Sequence, residues 1–311
     1  MFRPSRRTLL ASIGGLVLSG CLSRGSRGEL PVEGTFPNGY PEYDDVERVV
    51  AYGEIDPDTT PIYLEPSTTT LTENEGATFT LTNAAGRTFA LNPYGWRLHK
   101  RVDDRWYHVA PWEVPLPLTN LRAGDSHVWT LRVDNAALEP GGSPDRGGGQ
   151  EPNPIAGLGG GEYAFGTRGW FEDESHEDAI GFSARFDLET EPLELTPSDA
   201  ISETKWDDET LVAMSDRGDA DSDSTRLGAY ELVRTDDDVR GDPHITETLM
   251  RNDQLRDVVA LAREYDADRV RLKEYDGTHP IFGSRDDGYY EYDGETYEIS
   301  TRELEGDETD E

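Results

Sequence analysis

The chain has 311 residues, and its 64 Asp and Glu residues outnumber its 29 Lys and Arg residues, which gives a formal net charge of −35 at pH 7. This charge excludes a basic surface for nucleic acid, because the phosphate backbone would be repelled. The sequence contains one cysteine, which excludes an intrachain disulfide.

The first 20 residues predict an export signal. Arg6-Arg7 precede an apolar run from Leu9 to Leu18, about half the roughly 20 residues that a membrane-spanning helix needs. A basic start and a short apolar stretch are typical of a signal peptide. In this setting Arg6 and Arg7 resemble the twin-arginine export signature, a receptor-read address.

The cysteine lies where such a signal would be cut. Leu18-Ser19-Gly20-Cys21 resembles a lipobox, in which a peptidase cuts before the cysteine and the cysteine thiol then carries a lipid. The resemblance implies that Cys21 fastens the mature chain to membrane lipid, at the outer face of the cytoplasmic membrane. A chance cysteine behind a short anchor helix is the alternative.

Acidic residues are spread along the chain, whereas lysine occurs only at Lys100, Lys205 and Lys273. This composition resembles that of haloarchaeal proteins, which work in strong salt, where screening shortens the Debye length to about 3 Å near 1 M. Intrinsic disorder is the alternative for so charged a chain. The 14 Tyr, 9 Phe and 6 Trp residues and the periodic apolar segments favour a folded protein.

The composition divides the chain after the signal peptide of residues 1–20. Residues 21–45 are rich in Gly, Pro and Ser and predict a flexible tether. Residues 46–192 contain seven or more short alternating segments between turn signals, which indicates an all-β sandwich or barrel. Within them, residues 138–161 are rich in Gly and Pro and predict a long exposed loop, in which Gly159-Gly160-Gly161 would be a hinge.

The clearest local unit of this region is a hairpin in the segment WRLHKRVDDRWYHVA. Asp103-Asp104 predict a two-residue turn. Residues whose numbers add to 207 then face each other across the strands. We therefore expect Leu98 opposite Val109, and His99 opposite His108.

This hairpin also carries a family resemblance. The pattern of lysine, short acidic turn and Trp-Tyr over Lys100–Tyr107 is followed by Leu121–Ser126 before a strand and by Gly161-Glu162-Tyr163. Together these residues resemble bacterial immunoglobulin-like domains over about residues 66–187, although Ala123 and Asp125 stand where that family usually has Pro and Glu. The resemblance implies an immunoglobulin-like β-sandwich that acts as a passive module without a shared catalytic residue.

Residues 193–303 predict a smaller α+β domain, and residues 304–311 an acidic tail. Asn252 predicts the N-cap of a helix that ends near Asp266. The apolar face of this helix comprises Leu255, Val258, Val259, Ala262 and Tyr265, and its opposite side comprises Arg256, Asp257, Arg263 and Glu264. Asp293-Gly294 predicts a type I′ hairpin whose tyrosines cover the helix.

The histidines of the sandwich are the candidate metal ligands. His99 and His108 would face each other across the hairpin, and His127 on a later strand would be a third ligand. Three protein ligands and a water are the pattern of catalytic zinc. Ordinary surface histidines of a hairpin are the alternative.

Two acidic runs invite a cation-site interpretation and are better explained as hydrated surface. Asp219, Asp221 and Asp223 have the spacing of an EF-hand loop, but Ser224 and Tyr230 stand where the loop needs Gly and Glu. Residues 172–178 place acidic side chains around His176 without a recognisable ligand spacing.

Taken together, the sequence predicts a lipid-anchored cell-surface protein that is mainly β. Its expected role is non-enzymatic, as a module that binds an envelope protein or a glycan, and neither a catalytic residue nor a cofactor is assigned. The alternative is a surface hydrolase or metal-dependent enzyme that uses His99, His108 and His127. A solute-binding lipoprotein, the third possibility, usually needs two α/β lobes, which this pattern lacks.

Overall fold

The computed structural model describes residues 29–138, 141–147, 154–235, 239–283 and 287–304. This part of the chain is mainly β and forms several sheets, which confirms the predicted fold class at that level. Its helical content is small, with α1 at Thr246–Leu249, α2 at Asp253–Glu264 and short 3₁₀ turns at Tyr52–Glu54, Asn135–Ala137 and His176–Asp178.

The strands fall into an earlier and a later group along the chain. The earlier strands are β1 Arg48–Ala51, β2 Ile62–Pro66, β3 Thr70–Thr72, β4 Gly76–Asn83, β5 Phe89–Leu91, β6 Arg97–Val102, β7 Arg105–Ala110, β8 Thr119–Leu121, β9 Ser126–Arg132, β10 Gly161–Phe171 and β11 Ile180–Glu189. The later strands are β12 Ile201–Asp207, β13 Thr210–Ser215, β14 Arg226–Thr235, β15 Asp242–His244, β16 Arg269–Asp276, β17 Gly288–Tyr292 and β18 Glu295–Glu303.

The first sheet is built on the long antiparallel pair β10–β11. Strands β1 and β3 run parallel to β11 along its other edge. Strands β5 and β6 pair with opposite ends of β10, β8 extends from β5, and β7 extends from β6. The β6–β7 hairpin therefore lies at an end of this sheet.

The second sheet has the order β2–β4–β9 and packs against the first. Alternate residues of β4 are buried, as expected for a strand with one face on a core. Phe79 of β4 stacks on Phe165 of β10 with ring centroids 4.2 Å apart, and Trp129 of β9 lies 5.9 Å from the same ring. Two facing sheets with aromatic rings between them are consistent with a β-sandwich.

The predicted hairpin is present, with one correction to its register. Asp103 and Asp104 both have positive φ, 47° and 63°, as a type I′ turn requires. His99 lies opposite His108 as predicted, but a bulge next to His99 places Leu98 opposite Ala110 rather than Val109. An extra residue on one strand shifts every pair beyond it.

The third sheet has the order β12–β13–β16–β14–β18–β17–β15, and α2 covers one of its faces. Asn252 caps α2 by accepting a hydrogen bond from the backbone of Leu255, as predicted. Asp293 and Gly294 form the predicted turn, with φ of 52° and 79°. The buried side chains of Tyr297 and Ile299 pack in the same hydrophobic cluster as the apolar face of α2.

Two sequence-based expectations about exposed segments do not hold at some of the described residues. The flexible tether predicted for residues 21–45 does not extend to residue 45, because Tyr40 and Tyr43 are 6% and 3% exposed. The loop predicted to be exposed over residues 138–161 is buried at Leu158 and at the neighbouring Gly157 and Gly159. The described buried residues of these segments contact the first sheet at Tyr43 and the Arg251 side chain after α1 at Gly157, which the Gly and Pro content of the segments does not reveal.

Candidate functional site

One candidate site is a cleft between the β6–β7 hairpin and the chain segment that precedes β1. Its volume is about 530 Å³. The segment before β1 forms one wall and the hairpin forms the other. The lining residues are Phe36, Pro37, Asn38, Gly39, Tyr40, Glu42, His99, Arg101, Asp104, Arg105, Trp106 and His108.

His99 and His108 lie side by side in this cleft as a cross-strand pair. Their ring centroids are 5.2 Å apart, with an angle of 55° between the ring planes. His99 is 8% exposed and packs on Tyr43 at 5.5 Å, and His108 is half-buried and packs on Trp112 at 5.4 Å. The Nδ1 atom of His99 is buried and has no hydrogen-bond partner among the described residues.

Both imidazoles are neutral near neutral pH. Burial, followed by the positive charges of His108 and Arg97, lowers the pKa of His99 to about 3. Burial and the charge of Arg97 lower the pKa of His108 to about 4, although a hydrogen bond with the backbone of Ala110 acts in the opposite direction. Desolvation is the main cause in each case, because it disfavours the charged form of an imidazole.

The arginines around the cleft differ in their ion pairs. Arg101 is bound by the carboxylates of Asp104 and Glu162, at 2.6 Å and 3.1 Å. Arg105 is exposed, makes no ion pair within the described part of the chain, and has its guanidinium 5.6 Å from the ring centroid of Tyr107. Arg105 and Trp106 both line the cleft, on successive positions of β7.

A second depression of about 440 Å³ adjoins the cleft at Tyr40, which lines both. It is lined by Tyr52, Glu162 and Arg185 among others. The guanidinium of Arg185 lies 4.6 Å from the ring centroid of Tyr40.

The wall that precedes β1 is held in place by an ionic cluster. The carboxylate of Asp45 accepts a hydrogen bond from Arg97 at 2.8 Å and forms an ion pair with Arg168 at 3.1 Å. Burial raises the pKa of Asp45, but the hydrogen bond and charge of Arg97 and the charge of Arg168 outweigh it and leave this pKa below its ordinary value. The negative charge of Asp45 is thereby stabilised.

The structure does not bring the third predicted ligand to this place. His127 belongs to β9 of the second sheet, lies opposite Leu81, and packs edge-on against Trp129 at 4.3 Å. Within the described residues, no group of three or more His, Cys, Asp and Glu side chains is arranged to hold a metal ion. The expected three-histidine site is therefore not assembled, because its members lie on different sheets.

A second candidate region, which sequence reasoning missed, is the buried junction where α1 meets the first sheet. The carboxylate of Glu247 accepts hydrogen bonds from Nζ of Lys100 at 2.5 Å and from the backbone N–H of Gly159 at 3.0 Å. The hydroxyl of Tyr163 donates to the carbonyl of Gly159 at 2.7 Å. Arg251 donates to the carbonyls of residues 156 and 157, and burial lowers its pKa to about 10.

A third region is a charged cluster on the side of α2 that was predicted to face solvent. Arg256 and Asp257 are 1% and 0% exposed, which corrects that expectation. Asp257 accepts hydrogen bonds from the backbone and the hydroxyl of Ser198 and from Arg217 at 2.7 Å. Arg217 also pairs with Glu274 at 2.8 Å, so these buried charges are matched.

The other acidic runs have structural partners. Asp173 and Glu174 both pair with Arg87, at 3.0 Å and 2.8 Å. Asp219 accepts a hydrogen bond from the backbone of Asp221 within its own loop. Neither run belongs to a group of three or more described His, Cys, Asp and Glu residues that could hold a metal ion.

The proposed signal and anchor residues, Arg6, Arg7 and Cys21, lie outside the described residues. Within the described part, no helix combines the length and the apolar character needed to cross a membrane. No family model matches the sequence, and the comparison with curated proteins gave no match either. The chemistry of the sites themselves is therefore the basis for a functional proposal.

Proposed function

We propose that the chain is an exported lipoprotein, held at the outer face of the cytoplasmic membrane by a lipid on Cys21, whose folded part is a non-enzymatic binding module of the cell envelope. The twin-arginine pattern at Arg6-Arg7 and the lipobox-like Leu18–Cys21 support the export and the anchor. The acidic composition supports a working environment of strong salt.

The proposed architecture is an immunoglobulin-like sandwich followed by a smaller α+β domain. Support for the first part comes from the two facing sheets and from the hairpin with its Trp-Tyr strand. Support for the second comes from a separate hydrophobic cluster between the third sheet and α2. A module of this kind presents a rigid surface on which loops and hairpins form binding sites.

The proposed binding role rests on the cleft at the β6–β7 hairpin. Aromatic side chains with an adjacent free guanidinium are the residue types that dominate recognition surfaces. Trp106 and Arg105 are such residues in the lining of the cleft on the hairpin side, and Tyr40 lines the opposite wall. We infer that the partner is an envelope protein or a glycan that inserts into this cleft.

The alternative is a surface hydrolase or metal-dependent enzyme that uses His99, His108 and His127 together. That mechanism needs the three imidazoles around one ion. The position of His127 on the second sheet counts against it.

Retention on cell envelopes tests the binding role. The full-length protein in detergent, at high salt, is incubated with envelope fractions stripped of the protein, and the bound fraction is measured. The double substitution Arg105→Ala/Trp106→Ala should lower retention at least about tenfold, as expected for loss of a hot spot. Trp206→Ala is the matched control, because Trp206 is 52% exposed on the third sheet, away from the cleft. Equal retention of the two variants would refute a binding role for the cleft.

A further inference from the structure

The spacing of His99 and His108 fits two ligands of one metal ion. An imidazole nitrogen lies about 2.0–2.1 Å from a zinc ion, so two imidazoles on one tetrahedral ion have ring centroids about 5 Å apart. The observed separation is 5.2 Å. The two residues are direct neighbours in the β6–β7 register, so the backbone holds the rings at this separation.

The hydrogen bonding of the two rings is compatible with metal binding. Nδ1 of His99 is buried without a partner among the described residues, which is an unusual state for a polar atom. His108 is hydrogen-bonded to the backbone of Ala110, and metal-binding histidines are typically oriented by such a bond from the second ring nitrogen. Both rings line the cleft, which gives an ion a path from solvent and leaves space for water or another ligand.

The charges around the pair permit a cation. Arg97 and Arg251 are positive charges that act on the pair. The hydrogen bond from Arg97 to the carboxylate of Asp45 at 2.8 Å offsets the charge of Arg97. Arg101 is paired with Asp104 and Glu162.

We propose that His99 and His108 form a two-histidine site for a divalent transition-metal ion of the zinc, copper or nickel class, with the remaining coordination positions open to the cleft. Imidazole selects these ions, whereas magnesium and calcium prefer oxygen ligands. This site goes beyond the proposed binding function and is independent of which envelope partner the cleft takes.

Metal titration of the full-length protein in detergent tests the site. The protein is stripped with a chelator and titrated with Zn²⁺ or Cu²⁺ by calorimetry, at high salt and with excess Ca²⁺ to occupy weak carboxylate sites. We expect one ion per chain and an affinity at least about tenfold weaker in His108→Gln, because one of two protein ligands is lost. The matched control is His127→Gln, which removes a histidine from the other sheet and should leave the affinity unchanged.

A spectroscopic readout on the unmodified protein keeps the test independent of folding in the variants. The electron paramagnetic resonance spectrum of one bound Cu²⁺ should show couplings to imidazole nitrogens, and His108→Gln should reduce them. The proposal is overturned by a Cu²⁺ spectrum without nitrogen coupling, by absence of binding, or by equal loss in His127→Gln. Envelope retention of the stripped protein is a separate measurement, so either proposal can fail while the other stands.

Discussion

Removal of the Glu247 carboxylate should destabilise the protein more than loss of any surface ion pair. The side chains of Lys100 and Glu247 are only 11% and 3% exposed, and the carboxylate also accepts the N–H of Gly159. Glu247→Ala leaves a buried ammonium without its counter-charge and a buried N–H without an acceptor. Breaking a buried pair from one side typically costs about 3–5 kcal/mol of unfolding free energy. We expect a loss in that range for Glu247→Ala.

The double substitution Lys100→Met/Glu247→Gln distinguishes a true pair from general damage to the junction. The glutamine carbonyl can still accept the N–H of Gly159, and no charge is left buried without a partner. The loss of unfolding free energy in the double variant should therefore be about 1–3 kcal/mol smaller than the sum of the losses in the single variants Lys100→Met and Glu247→Gln.

Denaturant unfolding at high salt, followed by circular dichroism and tryptophan fluorescence, measures these differences. Glu303→Ala is the control, because the side chains of Arg226 and Glu303 are 56% and 48% exposed and such a pair contributes at most about 1 kcal/mol. A Glu247→Ala loss no larger than that of Glu303→Ala, or strict additivity in the double variant, would refute the interpretation of this junction.

Three further predictions concern the buried loop, the polar side of α2 and the ionic cluster beside the cleft. Gly159→Ala should lower the unfolding midpoint in thermal melts, because its Cβ would lie 2.8 Å from a backbone nitrogen, whereas Gly86→Ala, with open space around it, should leave the midpoint unchanged. Asp257→Ala should cost about 3 kcal/mol in denaturant unfolding, because it leaves buried donors unpaired, and a loss under about 1 kcal/mol contradicts this. Burial raises the pKa of Asp45, but the hydrogen bond and charge of Arg97 outweigh it and leave this pKa below the ordinary 3.8. The ionised Asp45 therefore contributes its full stabilisation above pH 3.8, and this contribution is lost as the pH falls through the lower pKa of the folded state. The difference in unfolding free energy between the wild type and Asp45→Asn should therefore shrink below pH 3.8 in an acid titration. A difference that stays constant over this range would contradict the stabilising role of Asp45.

Turns, the start of a helix and hairpin pairing could be predicted from the sequence where neighbouring residues alone determine the backbone conformation. The turns at Asp103-Asp104 and Asp293-Gly294 are fixed by residues that tolerate positive φ. The start of α2 follows from the short side chain of Asn252. The pairing of His99 with His108 then follows from the turn, up to the bulge that displaces Leu98.

Long-range partners could not be predicted in this way. Helical periodicity assigns Arg256 and Asp257 to the solvent side, because it takes no account of the chain segments that cover them with hydrogen-bonding groups. Lys100 and Glu247 are 147 positions apart, and nothing local to either residue indicates the other. The burial of Tyr43 could not be predicted either, because the Gly and Pro residues before it are typical of an exposed tether.

The anchoring of the chain through Cys21 is the central claim, and the mass of the mature N-terminal peptide tests it most directly. The protein is extracted from membranes of its native host, digested, and analysed by mass spectrometry. The account predicts that residues 1–20 are absent and that the peptide beginning at Cys21 carries the added mass of a lipid. Recovery of an intact N-terminus with an unmodified Cys21 thiol would contradict it.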